Sequence, residues 1–214
     1  MSLYLPNEFS FTPTDGHPMA LRIECFNSVD GSTRFRALMG WFRFVCSNGL
    51  IVGVTSSDVR LRHTGDLFLA DEDDLFSSGL VGAVLTSGLR EAKTEKTNFD
   101  RWFQVGITLN QIASWVNTNL QKGWGFKAAD RAYHIAKFGS DAGIVGQFKG
   151  NTPTTIAMHP IKPVPGALNQ CGNLFDLSQI LAWLAKERRD VQEQLEWREK
   201  IPELINILVP KDSI

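Results

Sequence analysis

Residues 34–46 read RFRALMGWFRFVC, a run of aromatic and apolar side chains broken only by arginine and one glycine. That composition suits a long strand. On its C-terminal side Asn48-Gly49 is a hairpin turn signal, because both residues accept the positive φ of a tight turn. Two further apolar runs follow it, 50–55 (LIVGVT) and 58–64 (DVRLRHT). On its N-terminal side Asp30-Gly31 supplies a similar turn, preceded by 19–27 (MALRIECFN). There Leu21, Ile23 and Cys25 alternate with Arg22, Glu24 and Phe26, a half-buried strand pattern. The expectation is an antiparallel meander with 34–46 in its middle.

Strict alternation does not give that middle strand a clean face. Arg34 and Arg36 share a side with Leu38, Phe42 and Phe44, while Phe35, Ala37, Met39 and Trp41 share the other with Arg43. Either both faces are covered or the register shifts once, and Gly40 is the natural place for a bulge. One added residue also brings Arg34 and Arg36 onto the face of Arg60 and Arg62, a four-arginine patch.

From Asp73 the period becomes helical. Leu75, Val81, Val84, Leu85 and Leu89 recur every three or four residues behind the acidic run 71–74, a solvated helix start. Gly79, Gly82 and Gly88 each weaken this helix by about 1 kcal/mol relative to alanine, so it leans on packing. Thr97-Asn98 predicts a helix boundary. Thr108 and Gln111 form a capping box opening a helix over 109–120, and Gly123 and Gly125 separate it from a helix over 126–138. Residues 140–173 are rich in glycine and proline with no long period, which predicts an extended arm. Asp176 predicts the cap of a helix, and 187–208 continues helically apart from a break or a new helix N1 position at Pro202. The fold class is α+β, an N-terminal antiparallel β-meander followed by a helical C-terminal half. Its parts are a sheet (1–70), helices packed on it (71–139), the arm (140–173) and C-terminal helices (174–214), together one compact domain.

Composition bounds the function. The chain has 214 residues, 43% hydrophobic and 21% charged, with a net charge of −1 at pH 7. No global field draws it to nucleic acid or an anionic membrane, and it is not an acidic DNA mimic. Any nucleic-acid surface is local. Cys25, Cys46 and Cys171 have neither the number nor the spacing of a disulfide framework or zinc knuckle. The N-terminus has no signal-peptide pattern. No apolar run approaches the roughly 20 residues of a membrane helix. A cytoplasmic protein without a membrane partner is expected.

Three stretches carry a resemblance. FNSVDGSTRF (26–35), GWFRFVCSNGLIVG (40–53) and VRLRH (59–63) resemble the core motif of a phage- and plasmid-borne family, domain of unknown function 932. GWGFKAADRAYHI (123–135) and the helical stretch 174–205 are similar to segments of its plasmid members. In that family the turn usually shows histidine where this chain has Val29, and a longer region usually precedes it. The resemblance implies a mobile-element protein and no particular reaction.

No catalytic motif stands out. His17, His63, His134 and His159 lack metal-ligand spacing, so no metal or other cofactor is expected, and His134 reads as structural. The serines at 28, 32, 47, 56 and 57 lack a nucleophile elbow. Basic residues interleaved with aromatics are the most suggestive chemistry, since phosphates need cations and unstacked bases need ring faces. One cluster is Arg34, Arg36, Arg60 and Arg62 on the sheet, beside Trp41 and Arg43. The other is Lys122, Trp124, Lys127, Arg131, Tyr133 and Lys137, with Phe126, in and around the helix over 126–138. Asp130 is a candidate ion-pair partner of Lys127 or Lys137. Residues 108–121 followed by 127–138 also have the outline of a helix-turn-helix. The expected function is a non-enzymatic accessory protein acting on or beside single-stranded or duplex DNA, as a homo-oligomer in the annealing form. Alternatives are an antagonist of a host defence protein, anchored by the arm or the tryptophans, and an enzyme whose site assembles only in space.

Overall fold

The alternating pattern of the first residues becomes a sheet. The computed structural model describes residues 2–5, 7–26, 36–44, 50–55, 80–141, 144–149, 152–158, 162–164 and 170–210. Its first strands are β1 (Ser2–Tyr4), β2 (Ser10–Phe11), β3 (Met19–Phe26), β4 (Arg36–Arg43) and β5 (Leu50–Thr55). All pair antiparallel in the order β1-β3-β4-β5, and β2 pairs with β3 beside β1. The fold is α+β with β4 inside the meander, as expected; β1 and β2 were not anticipated. The strand expected over 58–64 lies outside the described residues.

The β3–β4 ladder runs unbroken through Gly40, which pairs with Arg22. The β4–β5 ladder shifts at the place expected: Gly40 pairs with Val54 but Trp41 with Val52. The extra residue is therefore Gly53 in β5, not one in β4, and glycine is the residue that leaves a ladder position unfilled most easily. Both faces of β4 are covered, which explains why neither is clean in sequence. Met39, Trp41 and Arg43 are buried on one side, where Arg43 forms an ion pair with Asp15. Phe42 is buried on the other, against Tyr4 and Phe44.

Helix α1 (Leu80–Gln104) covers the first of these faces. Trp41 Nε1 donates to the Ala92 carbonyl at 3.0 Å. A Cβ on Gly88 would lie 3.0 Å from Met39 Sδ, so the glycine that weakens the isolated helix permits its close approach to the sheet. α1 passes straight through Thr97-Asn98, where a boundary was expected. The Thr97 hydroxyl donates back to the Lys93 carbonyl at 3.2 Å and caps nothing. The chain divides into two compact units within this helix, residues 1–98 and 99–214.

In the second unit the Thr108–Gln111 capping box forms and opens α2 (Leu109–Trp115). A π-helical turn (Val116–Leu120) and α3 (Gln121–Trp124) follow without interruption. Gly123 is thus helical, and Gly125 alone makes the break, at φ 85° and ψ 166°, a region open essentially only to glycine. A one-residue link is shorter than the 3–4-residue turn of a helix-turn-helix, so that outline is not realised. α4 (Phe126–Phe138) has the bounds expected and ends at Gly139, φ 68°.

The arm is non-helical wherever it is described, but it is not featureless. β6 (Ser140–Asp141) pairs with β9 (Lys162–Pro163), and β7 (Ile144–Lys149) with β8 (Thr152–Met158), both antiparallel. Asn173, not Asp176, caps α5 (Leu174–Lys186): its side chain accepts from the Asp176 amide, and the Asp176 carboxylate accepts from the Gly172 amide at 3.0 Å. Asp190 caps α6 (Val191–Asn206). Pro202 sits inside α6, where a break or a new helix start was expected; the neighbouring Ile201 and Ile205 are fully buried, and their packing offsets the lost backbone bond. Residues 174–185 of α5 are all buried, with Phe175 stacked on Phe103 at 3.9 Å.

Candidate nucleic-acid interface

α4 carries two stripes that the helical period sets side by side. Phe126, Asp130, Tyr133 and Lys137 form one, and Lys127, Arg131, His134 and Phe138 the other. Its buried side is alanine and isoleucine: Ala128, Ala129, Ala132, Ile135 and Ala136. Small residues there let the helix sit deep, so the long side chains stand at its rim.

The sequence-predicted residues separate on this helix. Lys122 and Lys127 are exposed, and among the described residues neither has an ion-pair partner. Lys137 is exposed with its Nζ 5.0 Å from the Phe138 ring. Tyr133 is half-buried. Arg131 faces inward chemistry instead. Its Nε donates to Asp141 Oδ1 at 3.0 Å, and its NH2 pairs with Asp141 Oδ2, which also accepts from Trp183 Nε1 at 3.0 Å. Asp141 is 4% exposed, so this pair clamps β6 to α4. Trp124 is 7% exposed and stacked on Trp197, ring centroids 4.1 Å apart at 15°. It is a core side chain. All six tryptophans are at most 9% exposed.

Arg34, Arg60 and Arg62 lie outside the described residues, and Arg36 is described only in its backbone, opposite Phe26 at the end of β4. The four-arginine patch therefore lies outside the described residues as well. His134 is held as a structural residue, its Nδ1 2.9 Å from the Ser140 carbonyl oxygen. Asp130 pairs with neither Lys127 nor Lys137. Among the described residues no three metal-ligating side chains converge, and no helix is long and apolar enough to cross a membrane.

Phe126 was expected in the cluster; the exposed Phe138 and a cleft beside the π-helical turn were not. Phe126 and Phe138, 63% and 53% exposed, are the rings α4 presents to solvent. Phe126 also borders a cleft of about 190 Å³ lined by Ala113, Val116, Asn117, Ala129, Asp130 and Tyr133. The π-helical turn forms one wall, and such turns recur at functional sites. Nothing in the residue pattern announces a π turn, but the stripe Phe126–Asp130–Tyr133–Lys137 was readable at helical spacing.

The arrangement is that of a two-unit α+β protein that exposes Phe126, Phe138 and three lysines in and beside α4. It belongs to the family described as domain of unknown function (DUF932), whose family model matches residues 12–138. It is 37% identical over 70 residues to the UPF0380 protein YfjQ of Escherichia coli, a match covering 33% of this chain and 23% of that protein. It is 46% identical over 41 residues to the UPF0380 protein YafZ of Escherichia coli, covering 19% of this chain and 15% of that protein. The matched stretches thus span less than a quarter of those relatives. No solved structure matches the chain.

Proposed function

We propose that the protein is a non-enzymatic accessory of a phage or plasmid that binds single-stranded nucleic acid along α4. The observation that carries this reading is the exposed Phe126 ring beside two exposed lysines, Lys122 and Lys127, that have no carboxylate partner among the described residues. A strand needs both parts: rings on which bases stack, and cations that release counterions from its phosphates. Phe138 and Lys137 repeat the combination three turns further on, roughly 18 Å along the axis. Because the net charge is only −1, binding rests on this local set and is weak and salt-sensitive.

Anisotropy of a labelled thymidine 20-mer and of a duplex of equal length, each at two salt concentrations, tests the reading. The single strand is expected to bind more tightly. Lys122→Ala with Lys127→Ala is expected to lower the salt slope by about 1.4, or about 0.7 per lost phosphate contact. Absence of binding to either nucleic acid, or a double variant with unchanged slope, overturns it.

A further inference from the structure

We infer that the cleft between α2 and α4 is a pocket for one unstacked guanine base; this rests on the single-strand reading above and says which base α4 selects. The cleft, about 190 Å³, is smaller than the roughly 300–1,000 Å³ of ordinary small-molecule sites and suits a single ring system. Its apolar lining comes from Ala113, Val116 and Ala129, and Phe126 and Tyr133 contribute aromatic rings. Those are the surfaces on which a splayed base gains most.

Its polar groups choose the base. Asp130 has no ion pair or hydrogen bond among the described residues, and an ionised carboxylate only accepts. Asn117 uses one Nδ2 hydrogen to donate to the Ala113 carbonyl at 2.9 Å, which leaves its carbonyl oxygen and a second N–H for a ligand. Asn117 and the Tyr133 hydroxyl can each donate or accept, whereas the carboxylate, the one charged group of the lining, asks for donors. Guanine alone among the common bases presents N–H donors on adjacent ring and exocyclic nitrogens of one edge, which match a carboxylate two to two. Thymine sets its single N–H between two carbonyls that a carboxylate repels, and adenine and cytosine offer one amino group beside an acceptor. A carboxylate beside a phosphate-binding helix opposes binding unless it is used this way. Charge-assisted pairs of this kind are the stronger hydrogen bonds, and a matched bidentate contact discriminates by roughly 5–150-fold.

The test uses guanosine and inosine, which differ by the exocyclic amino group and carry no phosphate. Each is titrated into the full chain while the aromatic NMR resonances of Phe126 and Tyr133 are followed. Guanosine is expected to shift both, with an affinity at least fivefold that for inosine. Asp130→Asn is expected to abolish that preference while leaving the melting temperature unchanged and the thymidine 20-mer bound at least as tightly, since the repelling charge is gone. Equal responses to guanosine and inosine, or none to either, overturn the pocket. If the 20-mer still binds, only the pocket falls; if neither nucleosides nor 20-mer bind, both readings fall together.

Discussion

Aromatic rings reach solvent on two described surfaces, and the two are built in opposite ways. On the sheet, Tyr4 and Phe44 are 49% and 44% exposed, but they pack on each other and on Phe42 at 5.0–5.5 Å. The cation among them, Arg22, lies 4.8 Å from the Phe42 ring and pairs with Glu24 at 2.9 Å. Rings and charge there satisfy one another. On α4, Phe126 makes no such ring cluster among the described residues, and Lys122 and Lys127 have no carboxylate partner there. Composition alone reads both as basic-aromatic. Only the partners separate a surface that stabilises its own unit from one with something left to bind.

The largest effect expected at α4 is on stability. Trp124→Ala removes a ring stacked on Trp197 and is expected to cost about 3–5 kcal/mol in chemical denaturation. Its loss of nucleic-acid affinity should then be the same for single strand and duplex, since it reports unfolding. A variant that keeps its stability yet selectively loses single-strand binding would put Trp124 on the surface side of the comparison.

A smaller effect sharpens the contrast directly. Phe126→Ala is expected to weaken single-strand binding by about 1–3 kcal/mol, the worth of one stacked base, with stability little changed. Phe44→Ala should leave the affinity within about twofold, because its ring faces are shared with Tyr4 and Phe42. Equal losses from the two, read by the same anisotropy titration, would show that the sheet binds as well.

Much of the fold was legible because it rests on local signals. The capping box at Thr108–Gln111, the glycines bounding α4 and the ladder shift at Gly40 are fixed by residues close in sequence. The misses have tertiary causes. Thr97 caps nothing because packing carries α1 past it, and Pro202 is tolerated because Ile201 and Ile205 are buried. β7 and β8 hid in a glycine- and proline-rich stretch whose ladder shifts at Gln147–Phe148, so no single alternation spans it. The site was legible in its lysines and in Phe126, but not in the burial of Trp124 or the exposure of Phe138. Trp124 and Phe126 flank Gly125, and Trp124 is buried against Trp197 while Phe126 is exposed.

The last contrast is in how the two units answer pH. In the helical unit the buried Cys171 thiol is pushed up to about 12, by burial first and by Asp176 second, so it stays neutral over the working range. In the sheet unit Glu95, on α1, is pushed up from 4.5 to about 8, by burial first and by Glu91 second. Among the described residues its Oε2 has no hydrogen-bond partner to hold the charge. The sign follows from proton counting. Below pH 4.5 the carboxyl is protonated folded or unfolded and contributes nothing. Between 4.5 and about 8 the unfolded chain loses the proton while the folded one keeps it, so stability falls as pH rises. Above about 8 the loss levels off. Glu95→Gln keeps the neutral shape and should abolish that decline. Because the side chain is only half-buried and solvent screens it, the gain is expected to be on the order of 1 kcal/mol at pH 9, and close to zero at pH 4. Chemical denaturation of both proteins across that range reads the difference. A constant offset at all pH values would assign the variant's effect to packing and remove the pH response from the sheet unit.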